Sequence, residues 1–441
     1  MTLAPYGRLL RRPAVLRLVL VSLVARIPHA AVGVVLTLHV VGTLDLGYGH
    51  AGVVAAAMTV GMAIGAPWRG RRVDRLGLRR ALLPSVVIEA AVWSAAPFLD
   101  YRGLLVAGVV AGLFMVPVFS VIRQSLSVLV PEEEQRTAFA LDSVCTELTF
   151  MLAPVLGVLV ATTWSTTAAL VVVGVATVGA GALLMWFDPP TRTALRPAAT
   201  GADGGDVARA GAAVAGHAGS RAAVAPARVI TPALLVTLLA ASAASLVLTG
   251  TDVSIVASLE EWDRVPDTGW MIALWAAGSV VGGLVYGAGR RSVQPLTLVL
   301  LLAVLTVPAA LAGNPLWLAV AVVLAGVPCA PALSSITAAL VRLVPEHRRG
   351  EVMGWSGSAM TVGSALGAPL CGLVIDRAGA SAGFLVAGGV GVVVAGGGLL
   401  VLSVVRDRRA AAAVVTDADL DVAEPEGPVP GGEVLAGRTA R

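Results

Sequence analysis

Among the ionisable residues that interrupt otherwise apolar stretches, Arg26, His29, Asp142, Glu147 and Asp252 could do chemistry; Glu89, also deep, reads as a helix-pairing residue. A charge in a lipid-like interior costs about 2.5–3.5 kcal/mol on insertion scales, so each needs a partner or a wet cavity. Arg26 shares one helical face with His29, Gly33 and Thr37, with Val, Leu and Ala opposite. Such a stripe suits a cavity wall: the guanidinium can pair with a carboxylate or a ligand, and the imidazole titrates near neutrality. Asp142 and Glu147 are five residues apart, about 140° around a helix, so both cannot face one cavity squarely. Asp142 shares a stripe with Thr146, Thr149 and Ala153 and also lies within reach of Arg136. Glu147 is deeper, suited to carrying a proton or to pairing with Arg26. Asp252 lies towards the far end of its stretch, as either an outer-gate or an interfacial residue.

The composition says what must position these groups. The chain has 441 residues, 57% hydrophobic and 13% charged, and its mean hydropathy is +0.87. Soluble domains carry about 25% charged residues. The excess excludes an ordinary soluble enzyme, a disulfide scaffold and a single-anchor receptor. Apolar runs predict twelve spans, near 17–42, 50–68, 81–99, 103–122, 138–162, 166–187, 232–257, 268–288, 294–312, 315–340, 352–375 and 382–405. The first is too long for a signal peptide and is expected to stay. Residues 190–231, small and polar, read as a flexible cytoplasmic linker, and 406–441 as a disordered cytoplasmic tail. The six-span units are then 1–189 and 232–405.

All basic residues are arginines. With both termini in the cytoplasm, only Arg102, Arg264 and Arg377 fall on the far side and Arg26 within a span, the bias that orients membrane proteins. The net charge of +4 therefore reflects the lipid bilayer as partner, not nucleic acid. Cys145, Cys329 and Cys371 lie in apolar stretches and read as buried small side chains. No glycine-rich lysine loop, metal-ligand spacing or serine–histidine pair is evident, so no cofactor, metal or catalytic residue is expected.

The chain also repeats itself. Gly52, Gly61, Gly65 and Gly70 match Gly269, Gly278, Gly282 and Gly287. Gly112, Pro117, Ser120, Val130 and Pro131 match Gly326, Pro331, Ser334, Val344 and Pro345. Two parallel six-helix halves imply a binding site between them and alternating access. The glycine pairs four apart, 61/65, 108/112 and 278/282, read as internal packing.

Between spans 2 and 3 stands Gly70-Arg71-Arg72-Val73-Asp74-Arg75-Leu76-Gly77-Leu78-Arg79-Arg80. It resembles the cytoplasmic loop motif of the major facilitator superfamily, and the resemblance covers residues 10–405. It departs from the motif at Leu78, where a basic residue is common. The matching second-half loop, Gly287-Ala288-Gly289-Arg290-Arg291, lacks the acid. The resemblance implies an all-α membrane protein of twelve transmembrane helices in two pseudo-symmetric six-helix bundles. It also implies a gate role for Gly70, Asp74, Arg75, Gly77, Arg79 and Arg80. Independently, Gly77 allows a tight reversal, and Asp74 can accept hydrogen bonds from a helix N-terminus when the halves meet.

Span 5 carries Pro154 and Gly157 in a stretch similar to the exporters' helix-bending motif, with Ala153 and Val158 in place of glycines; span 11 carries Pro369 and Gly372. The resemblance implies a secondary transporter in the plasma membrane that moves a small organic molecule, coupled to protons. Efflux of an amphipathic compound, by antiport, is favoured over uptake, and a monomer is expected to suffice. Import, uniport and a transport-inactive sensor or scaffold stay open; an embedded enzyme would need convergent His and acidic residues that the outer loops lack.

Overall fold

The computed structural model describes residues 4–192, 231–289 and 292–421, without the side chains of 48–49 and 405–421. Among them there is no strand. Backbone amides have no water to bond inside a bilayer, so each crossing segment satisfies them within a helix.

After a short α1 (Ala4–Leu10), the first half runs α2 (Pro13–Gly42), α3 (Tyr48–Leu76), α4 (Leu78–Ala95), α5 (Tyr101–Phe114), α6 (Val118–Leu129), α7 (Glu132–Thr163) and α8 (Thr166–Phe187). The second runs α9 (Pro232–Glu261), α10 (Thr268–Ala288), α11 (Pro295–Thr306), α12 (Pro315–Gly326), α13 (Cys329–Leu343), α14 (Arg349–Ala378) and α15 (Ala380–Asp421). Local signals set the starts. Asp100, Ser165, Thr231 and Asn314 cap α5, α8, α9 and α12 with their side-chain oxygens, and Pro13, Pro232 and Pro315 sit in first turns where no amide bond is lost.

Eleven of the described stretches are long and apolar enough to cross a membrane, and the twelfth, Pro295–Leu311, is a shorter apolar helix. Val106, Val155, Val175 and Val393 each stand more than 60% exposed on the outside, as lipid-facing residues do. The fourth and tenth crossings are each two helices, broken at 115–117 and 327–328. The fourth runs on to Leu129 rather than ending near 122, which carries Arg123 into the bundle.

The internal repeat is visible in the packing. In the first half a methyl group at Gly61 would strike the Val109 carbonyl, and one at Gly112 the Met58 carbonyl. In the second, Gly278 meets Val323 and Gly326 meets Trp275 in the same way. Each pair is displaced by the sequence offsets of the repeat, so the α3–α5 contact is rebuilt as α10–α12.

Residues 399–421 form a unit of their own and continue α15 as helix to Asp421, past the span end expected near 405. Most of the expected linker (193–230), residues 422–441 of the expected tail, and Arg290 and Arg291 lie outside the described residues.

Candidate functional site

Three regions gather the functional side chains. The first is within the N-terminal half, where Arg26 on α2 places Nη2 2.6 Å from Asp142 Oδ1 on α7. Its Nη1 reaches the Asp142 carbonyl at 3.4 Å. Arg123 on α6 approaches the other carboxylate oxygen through Nε at 3.3 Å. One carboxylate thus serves two guanidiniums, and the Arg26 and Asp142 side chains are 0% and 3% exposed. Among the described residues, the Arg26 Nε has no hydrogen-bond partner. Arg26 also lies over the Phe119 ring, 4.9 Å from its centre. His29 meets Phe119 edge-on, and Phe119 stacks on Phe150. The Arg26 guanidinium therefore pairs with Asp142, not Glu147, and Asp142 is not paired with Arg136, which lies over Tyr286.

The second region faces the other half. Glu147 accepts a hydrogen bond from Cys329 Sγ on α13 at 3.3 Å, and Ser279 on α10 accepts the amide of Ala330 on the same α13 at 3.2 Å. Asp252 on α9 is close enough to interact with the Glu147 charge. Glu147 is partly exposed and Asp252 exposed, although both lie within expected spans. Neither has a cationic partner among the described residues. Gly33, on the Arg26 stripe, also faces open space.

The third region ties the halves together at one end. Asp74, near the end of α3, accepts the amide of Gly350 at 3.0 Å and that of Glu351 at 2.8 Å, capping α14. Gln124 Nε2 holds the same carboxylate at 2.9 Å. Gly70 packs on the Gly350 carbonyl with no room for a side chain, and Arg71 pairs with Glu351 at 2.8 Å. Gly77, at φ +78°, makes the reversal into α4. Arg79 pairs with Asp188 at 2.9 Å, and Arg75 and Arg80 are exposed. Across the same end, Thr137 Oγ1 donates to the Gly287 carbonyl at 2.6 Å, and Arg349 Nη1 to Ser127 Oγ at 3.4 Å. Among the described residues, every hydrogen bond between the halves lies from the level of Glu147 down to this end.

Pro154 and Pro369 sit inside the continuous α7 and α14. Gly157 brings α7 against Val35 and Ala31 of α2, whereas Gly372 faces open space. Sequence reading missed Arg123, Gln124 and Tyr6. The signal for the first two is an apolar run after Pro117 that continues through them to Val130. Tyr6, one of only four tyrosines, had no signal beyond its rarity. Among the described residues, no group of His, Cys, Asp and Glu could hold a metal ion.

The sequence profile described as Major Facilitator Superfamily matches residues 18–288 and 250–430. No curated protein matches the chain significantly in sequence. Among solved structures it is similar to the human organic anion transporter MFSD10 (TETRAN), with TM-score 0.67, 17% identity, and coverage of 87% of this chain and 99% of that one. The proton:xylose symporter XylE follows at TM-score 0.63 and 11% identity, covering 86% and 94%. The E. coli fucose:proton symporter FucP gives 0.60 and 16%, covering 88% and 98%.

Proposed function

The chain belongs to the major facilitator superfamily, and from that premise we propose that it is a proton-coupled secondary transporter exporting a small amphipathic organic molecule by alternating access. One observation carries the reading: among the described residues, the hydrogen bonds between the halves all lie on one side of the level of Glu147, midway along α7, and gather towards one end. Two bundles bonded from their middle to one end and not beyond represent one of two access states, and a ligand that favours the other would shift the population. The fastened end carries Arg8, Arg11, Arg12, Arg71, Arg72, Arg75, Arg79, Arg80, Arg348 and Arg349, so we assign it to the cytoplasm of the plasma membrane.

Glu147 and Asp252 support proton coupling. A carboxylate within a span that is at least partly exposed and has no ion-pair partner among the described residues is suited to gain and lose a proton as its surroundings open and close. Arg26 and Asp142 form the rigid N-terminal wall, with His29, Phe119 and Phe150 offering aromatic surface to an amphipathic substrate. Export is favoured by the similarity of the Pro154–Gly157 stretch to the exporters' motif. Uptake is the second reading, favoured by the symporters among the similar folds.

The test is substrate-linked proton movement in vesicles holding the purified protein, across a panel of amphipathic compounds. The expected result is a pH signal in the wild type that Glu147→Gln abolishes. Compound flux without any proton signal would replace coupling with uniport.

A further inference from the structure

The two sides of the closed end are related by the internal repeat. Gly354 on α14 packs against Ala66 and Pro67 of α3, and its counterpart contact brings Ala140 on α7 near Gly283 of α10. Glu351, whose amide bonds Asp74, corresponds to Thr137, which bonds Gly287. The repeat departs at the position of the acid. In the sequence, the offset that relates Gly70 to Gly287 pairs Asp74 with Arg291, so the second-half loop lacks the counterpart of that acid.

A different group occupies the α7–α10 side. The Tyr6 hydroxyl lies 3.0 Å from the carbonyl oxygens of both Gly283 and Leu284, and donates its hydrogen to them across the boundary between halves. The ring is 5% exposed and packs against Gly287, where any side chain would collide with it. The rest of α1 is fixed to the first half: Leu9 is 1% exposed, and Arg12, just beyond the helix, pairs with Glu134 of α7 at 2.9 Å. Burial pushes the Tyr6 phenol up to about 12, with Arg136 opposing, so the hydroxyl keeps its proton and remains a donor.

We propose that α1 is a latch: Tyr6 takes the place of the missing second-half acid and fastens the α7–α10 side of the closed end, so the N-terminal segment sets the balance between access states. This rests on the alternating-access reading, because the Tyr6 bonds must break when that end opens. A buried hydrogen bond contributes about 0.5–1.5 kcal/mol, a factor of about two to twelve in an equilibrium.

The test is the distance between spin labels on Glu132→Cys and His347→Cys, exposed positions at this end of the two halves, with the native cysteines buried. It is measured in lipid nanodiscs for the parent, Tyr6→Phe, Tyr6→Ala and Asp74→Asn. Tyr6→Phe keeps the ring and loses the donor; it is expected to raise the long-distance population about two- to twelvefold. Tyr6→Ala should raise it further. A distribution that Asp74→Asn shifts while both Tyr6 variants leave it unchanged overturns the latch and leaves alternating access standing. A single distance in all four proteins overturns both.

Discussion

Arg26 and Asp142 form an ion pair at 2.6 Å with both side chains cut off from solvent, and a second guanidinium, Arg123, leans on the same carboxylate at 3.3 Å. Removing one partner of a buried pair costs about 3–5 kcal/mol, because the other charge is left uncompensated. The arrangement makes the outcome unequal. Arg26→Ala leaves Asp142 with Arg123, whereas Asp142→Ala leaves two neighbouring guanidiniums with no counter-charge. Asp142→Ala is therefore expected to lower the melting temperature in detergent further than Arg26→Ala. Equal losses would show that Arg123 does not share the carboxylate.

Asp74 accepts two amides at the start of α14, and these bonds exist only while the halves meet there. Hydrogen bonds to a charged group contribute about 1.5–3 kcal/mol each. Asp74→Ala should favour opening of that end by at least tenfold. A cysteine replacing Ser127, which is 6% exposed and bonded to Arg349, would report it. Its alkylation by a water-soluble maleimide should accelerate by a similar factor, and an unchanged rate would remove Asp74 from the gate.

The spans, the repeat and the closed-end loop were legible because each rests on local pattern: apolar length, glycine spacing, and an acid placed beside a turn glycine. Pairing was not. Nothing in a linear sequence says that Arg26 meets Asp142 rather than Glu147, since the two acids lie about 140° apart on one helix and the choice depends on how α2 and α7 rotate. Arg123 escaped for a related reason. Placed after the expected end of the fourth span, it looks like an ordinary positive loop residue, and only the extension of α6 to Leu129 buries it.

Glycines of equal appearance are expected to differ sharply in tolerance. A methyl group at Gly112 meets the Met58 backbone, and one at Gly326 meets the Trp275 backbone, neither of which can yield without separating helices. Gly372 has open space in the same direction. Overpacking costs about 1–3 kcal/mol. Gly112→Ala and Gly326→Ala should each lower thermal stability by comparable amounts, and Gly372→Ala should leave it unchanged. A neutral Gly326→Ala beside a damaging Gly112→Ala would show that the halves do not pack alike.

The carboxylates should also differ in chemical reach. Asp252 is exposed and has no ion-pair partner among the described residues, Glu147 is partly exposed and bonded by Cys329, and Asp142 is sealed under two guanidiniums. A membrane-permeant carbodiimide attacks a protonated carboxyl, so it needs both access and a proton on the oxygen. Asp142, buried and bonded to two guanidiniums, offers no access. Modification followed by peptide mass spectrometry should proceed in the order Asp252, Glu147, Asp142, with the last essentially unlabelled. A substrate occupying the cavity should slow the first two and leave the third as it was. Labelling of Asp142 at the rate of Asp252 would mean that the N-terminal wall opens during the cycle, and the rigid role given to its ion pair would have to be abandoned.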